Sequence, residues 1–384
     1  MIPYSTQSVS EEDLAAVREV LMSEWLTQGP TGPRFEAAFG QVHGVAHAVA
    51  VSSATAGLHI ACLALGIGPG SRVWTSPISF VASANCALYC GATVDFVDID
   101  SRTRNISIDA LADKLSQAEL TGTLPQLLIP VDFAGLPCDL AELRALADRY
   151  RFQILEDASH AVGASYQGAP VGSRYADASV FSFHPVKIIT TAEGGMVTTQ
   201  DAALAKRLRL LRSHGITRDF ADASVPVEGI WYYEQQTLGY NYRMTDVQAA
   251  LGSSQLARLP TFRRRRIELA QRYEELLPEL PLIRPAVMDD RVSSLHLYVV
   301  EIDASRCAKS RASVFARLFE SGIGVNVHYI PIHLQPFWRA RGFAPGDFPR
   351  SEAYYRQALS IPLYPALTDD LQDAVVGALR EALS

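Results

Sequence analysis

The chain is predicted to fold as an α/β protein, with a largely parallel, doubly covered sheet followed by a smaller α+β unit. Three observations predict this. Short apolar strand patterns alternate with helical patterns through the first two thirds of the chain, as in a parallel sheet with helices on both faces. After about Leu256 the pattern changes to long helical stretches at 261–277 and 310–321. Between them lies an alternating segment, 295–302, which suits a half-exposed antiparallel strand.

The elements follow in order. Ser10 precedes Glu11, Glu12 and Asp13, which supplies an N-cap and an acidic first helical turn. A helix is expected over 55–65, ending at Gly66, then a strand over 72–76, a helix over 79–89 and a strand over 93–97. The apolar run 126–131 reads as a strand and 139–150 as a helix. A short strand over 152–155 runs into Glu156 and Asp157, and strands over 178–183 and 195–199 complete the series. Such sheets bind ligands beyond the carboxyl ends of their strands and in clefts between domains.

Composition narrows the function. The 384 residues are 48% hydrophobic and 20% charged, with a net charge of −7. This suits a folded protein and argues against a nucleic-acid binder, which needs a basic face. The one basic run, Arg263 to Arg266, reads as a solvated helix face. Five scattered cysteines lack zinc-site spacing and read as buried free thiols of a reducing compartment. The N-terminus shows no signal peptide, and no run of about eighteen apolar residues suggests a membrane span. A cytoplasmic protein is expected.

Four separated segments carry the chemistry. Ser52-Ser53-Ala54-Thr55-Ala56-Gly57 opens a helix. It reads either as a plain capped start or as an anion site made by free amides and the helix dipole. No phosphate-binding P-loop occurs, and Gly66-Ile67-Gly68-Pro69-Gly70 lacks the dinucleotide-binding spacing. That spacing would be needed for a nicotinamide-dependent oxidoreductase. Glu156-Asp157-Ala158-Ser159-His160 ends an apolar strand. There Asp157 fits either a strand-end cap or a carboxylate that keeps a pyridinium nitrogen protonated, as pyridoxal phosphate requires. Lys187 sits between an apolar strand and the pair Gly194-Gly195. Buried lysines readily lose their proton, and a neutral amine is what a Schiff base needs. Gly239-Tyr240-Asn241-Tyr242-Arg243-Met244-Thr245-Asp246 is a polar and aromatic loop before a helix, with Thr245 or Asp246 able to cap it.

Together these segments resemble the DegT-type sugar aminotransferases, within the aspartate-aminotransferase fold. The resemblance runs from near Tyr4 to the chain end. It rests on SATAGLHIA, ISFVASAN, EDASHAVG, FSFHPVKIITTAEGG, LLRSHGI, YNYRMTDVQAALG and VHYIPIH. It implies the pyridoxal phosphate-dependent transferase fold of type I. A large domain over 1–255 would hold a mostly parallel seven-stranded sheet, and a small domain would span 256–384. Lys187 is implied as the Schiff-base lysine and proton shuttle, and Asp157 as partner of the pyridinium nitrogen. His160 would face the ring hydroxyl and Phe80 would stack on the ring. Ala54, Thr55 and Ser182 would hold the phosphate, and Asn241 would reach the phosphate of a neighbouring subunit in a homodimer. Tyr4, Trp25, Leu26, Thr27, Ser53, His328, Tyr329 and Pro331 match positions lining a sugar-nucleotide pocket.

Leu26-Thr27-Gln28-Gly29, the stretch from Thr75 to Phe80, and Ser294 to Tyr298 favour one branch. That branch forms UDP-4-amino-4,6-dideoxy-N-acetyl-β-L-altrosamine from a UDP-linked 4-keto sugar and L-glutamate, on the path to pseudaminic acid. A competing branch makes 4-amino-4-deoxy-L-arabinose. Arg243, Arg212 and His214 are candidates for contacting the diphosphate. A non-catalytic sensor or scaffold of the same fold is the reading outside the enzymes, and the retained Lys187, Asp157 and Ser182 speak against it.

Overall fold

A computed structural model describes the whole chain, Met1 to Ser384. Its first unit is built on seven strands: β1 (His47–Val51), β2 (Arg72–Thr75), β3 (Thr93–Phe96), β4 (Leu127–Ile129), β5 (Gln153–Asp157), β6 (Ala178–Ser182) and β7 (Gly195–Thr199). Their spatial order is β1-β7-β6-β5-β4-β2-β3. β7 runs antiparallel to both of its neighbours, and the remaining pairs are parallel. The expected α/β class with a mostly parallel sheet is therefore what the chain adopts. Every residue of β6 and β7 is buried, which is why these segments read as nearly unbroken apolar runs.

Helices cover both faces. After α1 (Glu11–Leu21) and α2 (Thr31–His43), α3 (Ala54–Ala64) and α4 (Ala82–Tyr89) join the core that includes Val49, Val73, Leu155 and Val180. α3 starts where expected, and the Ser53 hydroxyl caps it by accepting the Ala56 N–H at 3.1 Å. α4 starts three residues later than the expected 79. This leaves Ser79 and Phe80 outside the helix, free to face a cleft.

The last third forms a three-stranded antiparallel sheet of β8 (Leu282–Ile283), β9 (Tyr298–Ile302) and β10 (Ala358–Ile361), with β9 in the middle. The antiparallel strand is there, but it is not half-exposed: all of its residues are buried. Tyr298, Val300 and Ile302 pack with the C-terminal helices, whereas Leu297 and Val299 pack with Ile78, Ile99 and Phe133 of the first unit. The alternation thus sorts two buried faces, because one face of this small sheet lies against the loops that leave the carboxyl ends of β2, β3 and β4.

The basic run also needs correction. It lies in the helix Leu259–Leu276, where Arg264 is exposed but Arg266 is only 1% exposed. Arg266 Nη1 donates to the carbonyls of Leu295, His296 and Leu363, at 3.1, 3.2 and 2.9 Å. Three loop carbonyls without ladder partners are satisfied by one guanidinium, as buried acceptors require.

The N-terminal segment joins the two units. Ile2 bridges Ile323, Leu363 N–H donates to Tyr4 O at 3.0 Å, and Ser5 Oγ donates to Val186 O at 3.1 Å. The five cysteines are free and buried, as expected. No helix is long and apolar enough to cross a membrane.

Replacing Arg266 with Met leaves three buried carbonyls without their donor. Unfolding in denaturant should show a loss of about 3 kcal/mol or more. An unchanged midpoint and slope would contradict the structural role given to this side chain.

Candidate active site

The carboxyl ends of the parallel strands open into a cavity of about 460 Å³. Its position follows from topology, since β5 and β6 deliver Asp157 and Ser182 at their last residues while α3 begins beside them. The cavity brings together Tyr4, Ser53, Ala54, Thr55, Phe80, Asp157, His160, Ser182, Lys187, His328 and Tyr329. Sequence reasoning had placed all of these in one site.

One end is built for an anion. The first amides of α3 have no partner within the helix, and Ser182 faces them. β7 reaches this helix start closely because residue 195 is glycine. A Cβ there would lie 2.8 Å from Ala54 N and 2.9 Å from the Phe181 carbonyl oxygen.

The other end holds a buried carboxylate. Asp157 is 4% exposed. Its Oδ1 accepts the Ser159 N–H at 3.1 Å and its Oδ2 accepts the Ser83 hydroxyl at 2.5 Å. Ser83 in turn lies 2.6 Å from Ser79 Oγ. These serines were not singled out from the sequence. The available signal was their four-residue spacing, but only the fold brings Ser83, in the first turn of α4, to Asp157, with Ser79 behind it just before that helix.

Lys187 projects from an irregular loop that its own backbone closes. Thr191 N–H donates to Phe183 O at 3.0 Å, and Lys187 N–H donates to His184 O at 2.8 Å. Burial pushes the Lys187 ammonium down to about 8, and the charge of Asp157 partly opposes that shift. The result is an amine with a sizeable neutral fraction close to physiological pH, far more than an ordinary lysine has.

His160 is a hydrogen-bonding node. Its Nδ1 lies 3.3 Å from the Ala134 N–H, which has only a proton to give. Nε2 therefore carries the imidazole proton and donates to the Tyr329 hydroxyl at 3.1 Å. Burial, then the Lys187 charge, holds His160 neutral. Burial likewise lowers His328 to about 3. His328 Nδ1 is 2.7 Å from Ser360 Oγ, and Tyr4 packs on its ring at 5.4 Å. Burial raises the Tyr329 phenol, which keeps its proton.

Other expected residues lie outside this cavity. Trp25 and Leu26 are 53% and 50% exposed, Thr27 bridges Thr245, and Asn241 is exposed beside Ser213. Pro331 is buried next to the cavity wall. Of the diphosphate candidates, Arg212 is already engaged, because its Nη1 donates to Glu36 Oε1 at 2.5 Å and Ala50 O at 2.8 Å. Arg243 and His214 do not line the cavity either. His184, Glu193 and His296 line it without having been anticipated.

The DegT/DnrJ/EryC1/StrS aminotransferase family model matches residues 7–380. The chain belongs to this family. It is 41% identical over 383 residues to the Bacillus subtilis spore coat polysaccharide biosynthesis protein SpsC, covering 99% of this chain and 96% of the relative. Its fold is similar to Helicobacter pylori PseC, an aminotransferase involved in pseudaminic acid biosynthesis. The TM-score is 0.89 and the identity 32%, over 100% of this chain and 99% of that one. Streptococcus pneumoniae Spr1654, solved in its PLP form, has a TM-score of 0.89 and 28% identity over the full length of both chains. The protein is thus a sugar aminotransferase with pyridoxal phosphate as cofactor.

The cavity fits that cofactor. The glycine-lined helix start suits its phosphate, the buried Asp157 its ring nitrogen, and the 60% exposed Phe80 at the mouth its flat ring. Reductive labelling of Lys187 in cofactor-free protein, by an aldehyde and borohydride, should rise with pH through about 8. Asp157→Asn removes the charge that holds the ammonium up, so its midpoint should fall lower still. A midpoint near 10.5 in the unaltered protein, the ordinary lysine value, would contradict the burial argument.

Proposed function

We propose that the enzyme aminates carbon 4 of a UDP-linked 4-keto-6-deoxy-N-acetylhexosamine with L-glutamate as donor, forming UDP-4-amino-4,6-dideoxy-N-acetyl-β-L-altrosamine for pseudaminic acid. The observation that carries this reading is the wall beside Lys187. His328 and Tyr329, with Tyr4 packed on His328, lie where the sequence resembles the sugar pocket of that branch. The likeness to PseC, whose described role is in the same pathway, supports it.

When bound, pyridoxal phosphate supplies an electron sink for charge at the carbon that loses a proton. The residues do the rest. Lys187 anchors the cofactor at rest. Its amine then moves the proton, a role that a pKa near operating pH favours. Asp157, held by Ser83 and Ser159, keeps the ring nitrogen protonated. His160 and Tyr329 orient the ring-hydroxyl side. Ala54, Thr55 and Ser182 bind the phosphate, and Phe80 covers the ring and excludes water. Residues 1–255 form the cofactor-bearing domain and 256–384 the domain that closes the cleft.

The ledge of Trp25 to Thr27 and Asn241 serves the site of a second copy in a homodimer. Supporting this, Ile230, Trp231 and Leu238 nearby in sequence are 91%, 69% and 73% exposed, an apolar display unusual for a free surface.

Amination of candidate UDP-4-keto sugars with L-glutamate, with products identified by NMR, should give the 4-amino sugar. Lys187→Ala should lose more than the roughly 10² to 10⁴-fold contributed by a positioned acid–base, because it also loses the anchor. Near-normal turnover would remove Lys187 from the mechanism. Sedimentation should return twice the chain mass, and Trp231→Glu should shift it toward the monomer. A monomer at all working concentrations would refute the shared site.

A further inference from the structure

No arginine lines the cavity, yet an amino-acid donor carries at least one carboxylate into it. The phosphate end is served by the start of α3, and Asp157 repels anions. Apart from Lys187, which the cofactor engages, and Glu193, whose carboxylate also repels anions, the remaining polar side chains are imidazoles and hydroxyls.

One of them has no partner. His296 is 2% exposed and lines the cavity. Its Nδ1 is buried without a hydrogen bond. No protein atom bonds its Nε2 either, and of the two ring nitrogens only Nδ1 is fully buried, which leaves Nε2 as the one that reaches the cavity. The ring is held in place. It packs on His160 with centroids 4.4 Å apart. Its backbone N–H donates to Ala134 O at 3.0 Å, and its carbonyl accepts Arg266. This close approach requires Gly135, at φ +93°, where a Cβ would fall 2.1 Å from Ser294 Oγ and 2.8 Å from His160 O.

Burial, together with His160, Lys187, Arg266 and His328, keeps the His296 imidazole neutral. A neutral imidazole has one N–H. An orphaned buried N–H is rarer and costlier than an orphaned lone pair, so the proton belongs on Nε2, pointing at the cavity. The protein supplies no acceptor for it, which leaves this N–H free to bind a ligand.

We propose that His296 Nε2–H binds the α-carboxylate of the amino-acid donor. This rests on the reading of L-glutamate as donor. The α-carboxylate is the donor oxygen group nearest the amine that must reach Lys187, and His296 lies close enough to Lys187 to feel its charge. A neutral donor also suits a cavity that admits two substrates in turn. A fixed guanidinium would be left buried and unpaired whenever the sugar, which has no carboxylate there, occupies the site.

The test uses holoenzyme without sugar, following the cofactor absorbance as L-glutamate converts it. His296→Met keeps the volume without a donor, and His296→Gln restores an N–H near the Nε2 position. The half-saturating concentration should rise about 10- to 100-fold in His296→Met, with His296→Gln between it and the unaltered enzyme. L-glutamate α-amide supplies the other side of a double-mutant cycle. It should bind more weakly than L-glutamate to the unaltered enzyme, and that difference should shrink in His296→Met and persist in His296→Gln. An unchanged half-saturation in His296→Met overturns the proposal. So does a shift in the resting absorbance alone, which would mean that His296 acts only through His160. Unaltered enzyme that L-glutamate leaves unconverted overturns the donor reading, and this proposal with it.

Discussion

A lysine ammonium gives up its proton close to physiological pH only where water is kept from it, and the architecture around Lys187 serves that requirement. The loop that bears it is closed by its own backbone onto Phe183. Ser5 of the N-terminal segment fastens the neighbouring Val186 carbonyl. His328 and Tyr329 of the second unit wall the far side. No single element of the sheet could desolvate the amine. Both units and the chain terminus are needed, which explains why residues so distant in sequence converge on one side chain.

The same enclosure sets the polarity of the cavity. Free helix amides at one end and a buried carboxylate at the other make a fixed field across it. Asp157 is held at both oxygens by groups that can only donate in that geometry, the Ser159 amide and the Ser83 hydroxyl. Three buried histidines are kept neutral between these ends. Neutral imidazoles orient ligands without adding a charge that would have to be compensated when substrates exchange.

The two units are stitched by polar contacts as well as by packing. Arg104 Nε donates to Glu301 Oε1 at 2.7 Å across them, and Ser294 Oγ donates to His160 O at 2.6 Å. Arg266 gathers the carbonyls of Leu295 and His296. These contacts hold the 293–297 segment against the floor of the active site. Buried polar links of this kind have exacting geometry and are costly to leave half-made, so they define one relation between the units.

Much of this was legible in the sequence by itself. Apolar periodicity and strand–helix alternation determined the α/β class, because burial imposes period on any chain that folds this way. Ser53 before a helix, Asp157 at a strand end and Lys187 before Gly194-Gly195 each read singly as a cap or a solvated side chain, and it is their combination, with the family resemblance it carries, that implied one site. Tertiary structure alone decided the rest. Arg266 reads as a solvated cation until three distant carbonyls converge on it. The segment around Val299 reads as half-exposed until loops of the first unit cover its second face. Ser83 and His296 are unremarkable until the fold brings Ser83 to Asp157 and a glycine lets a loop approach. Their roles depend on desolvation and on hydrogen bonds between residues far apart in the chain, which no local pattern encodes. Lys187 is the meeting point of both: its motif marked the residue, and burial by parts of the chain remote from it brings its ammonium down to about 8.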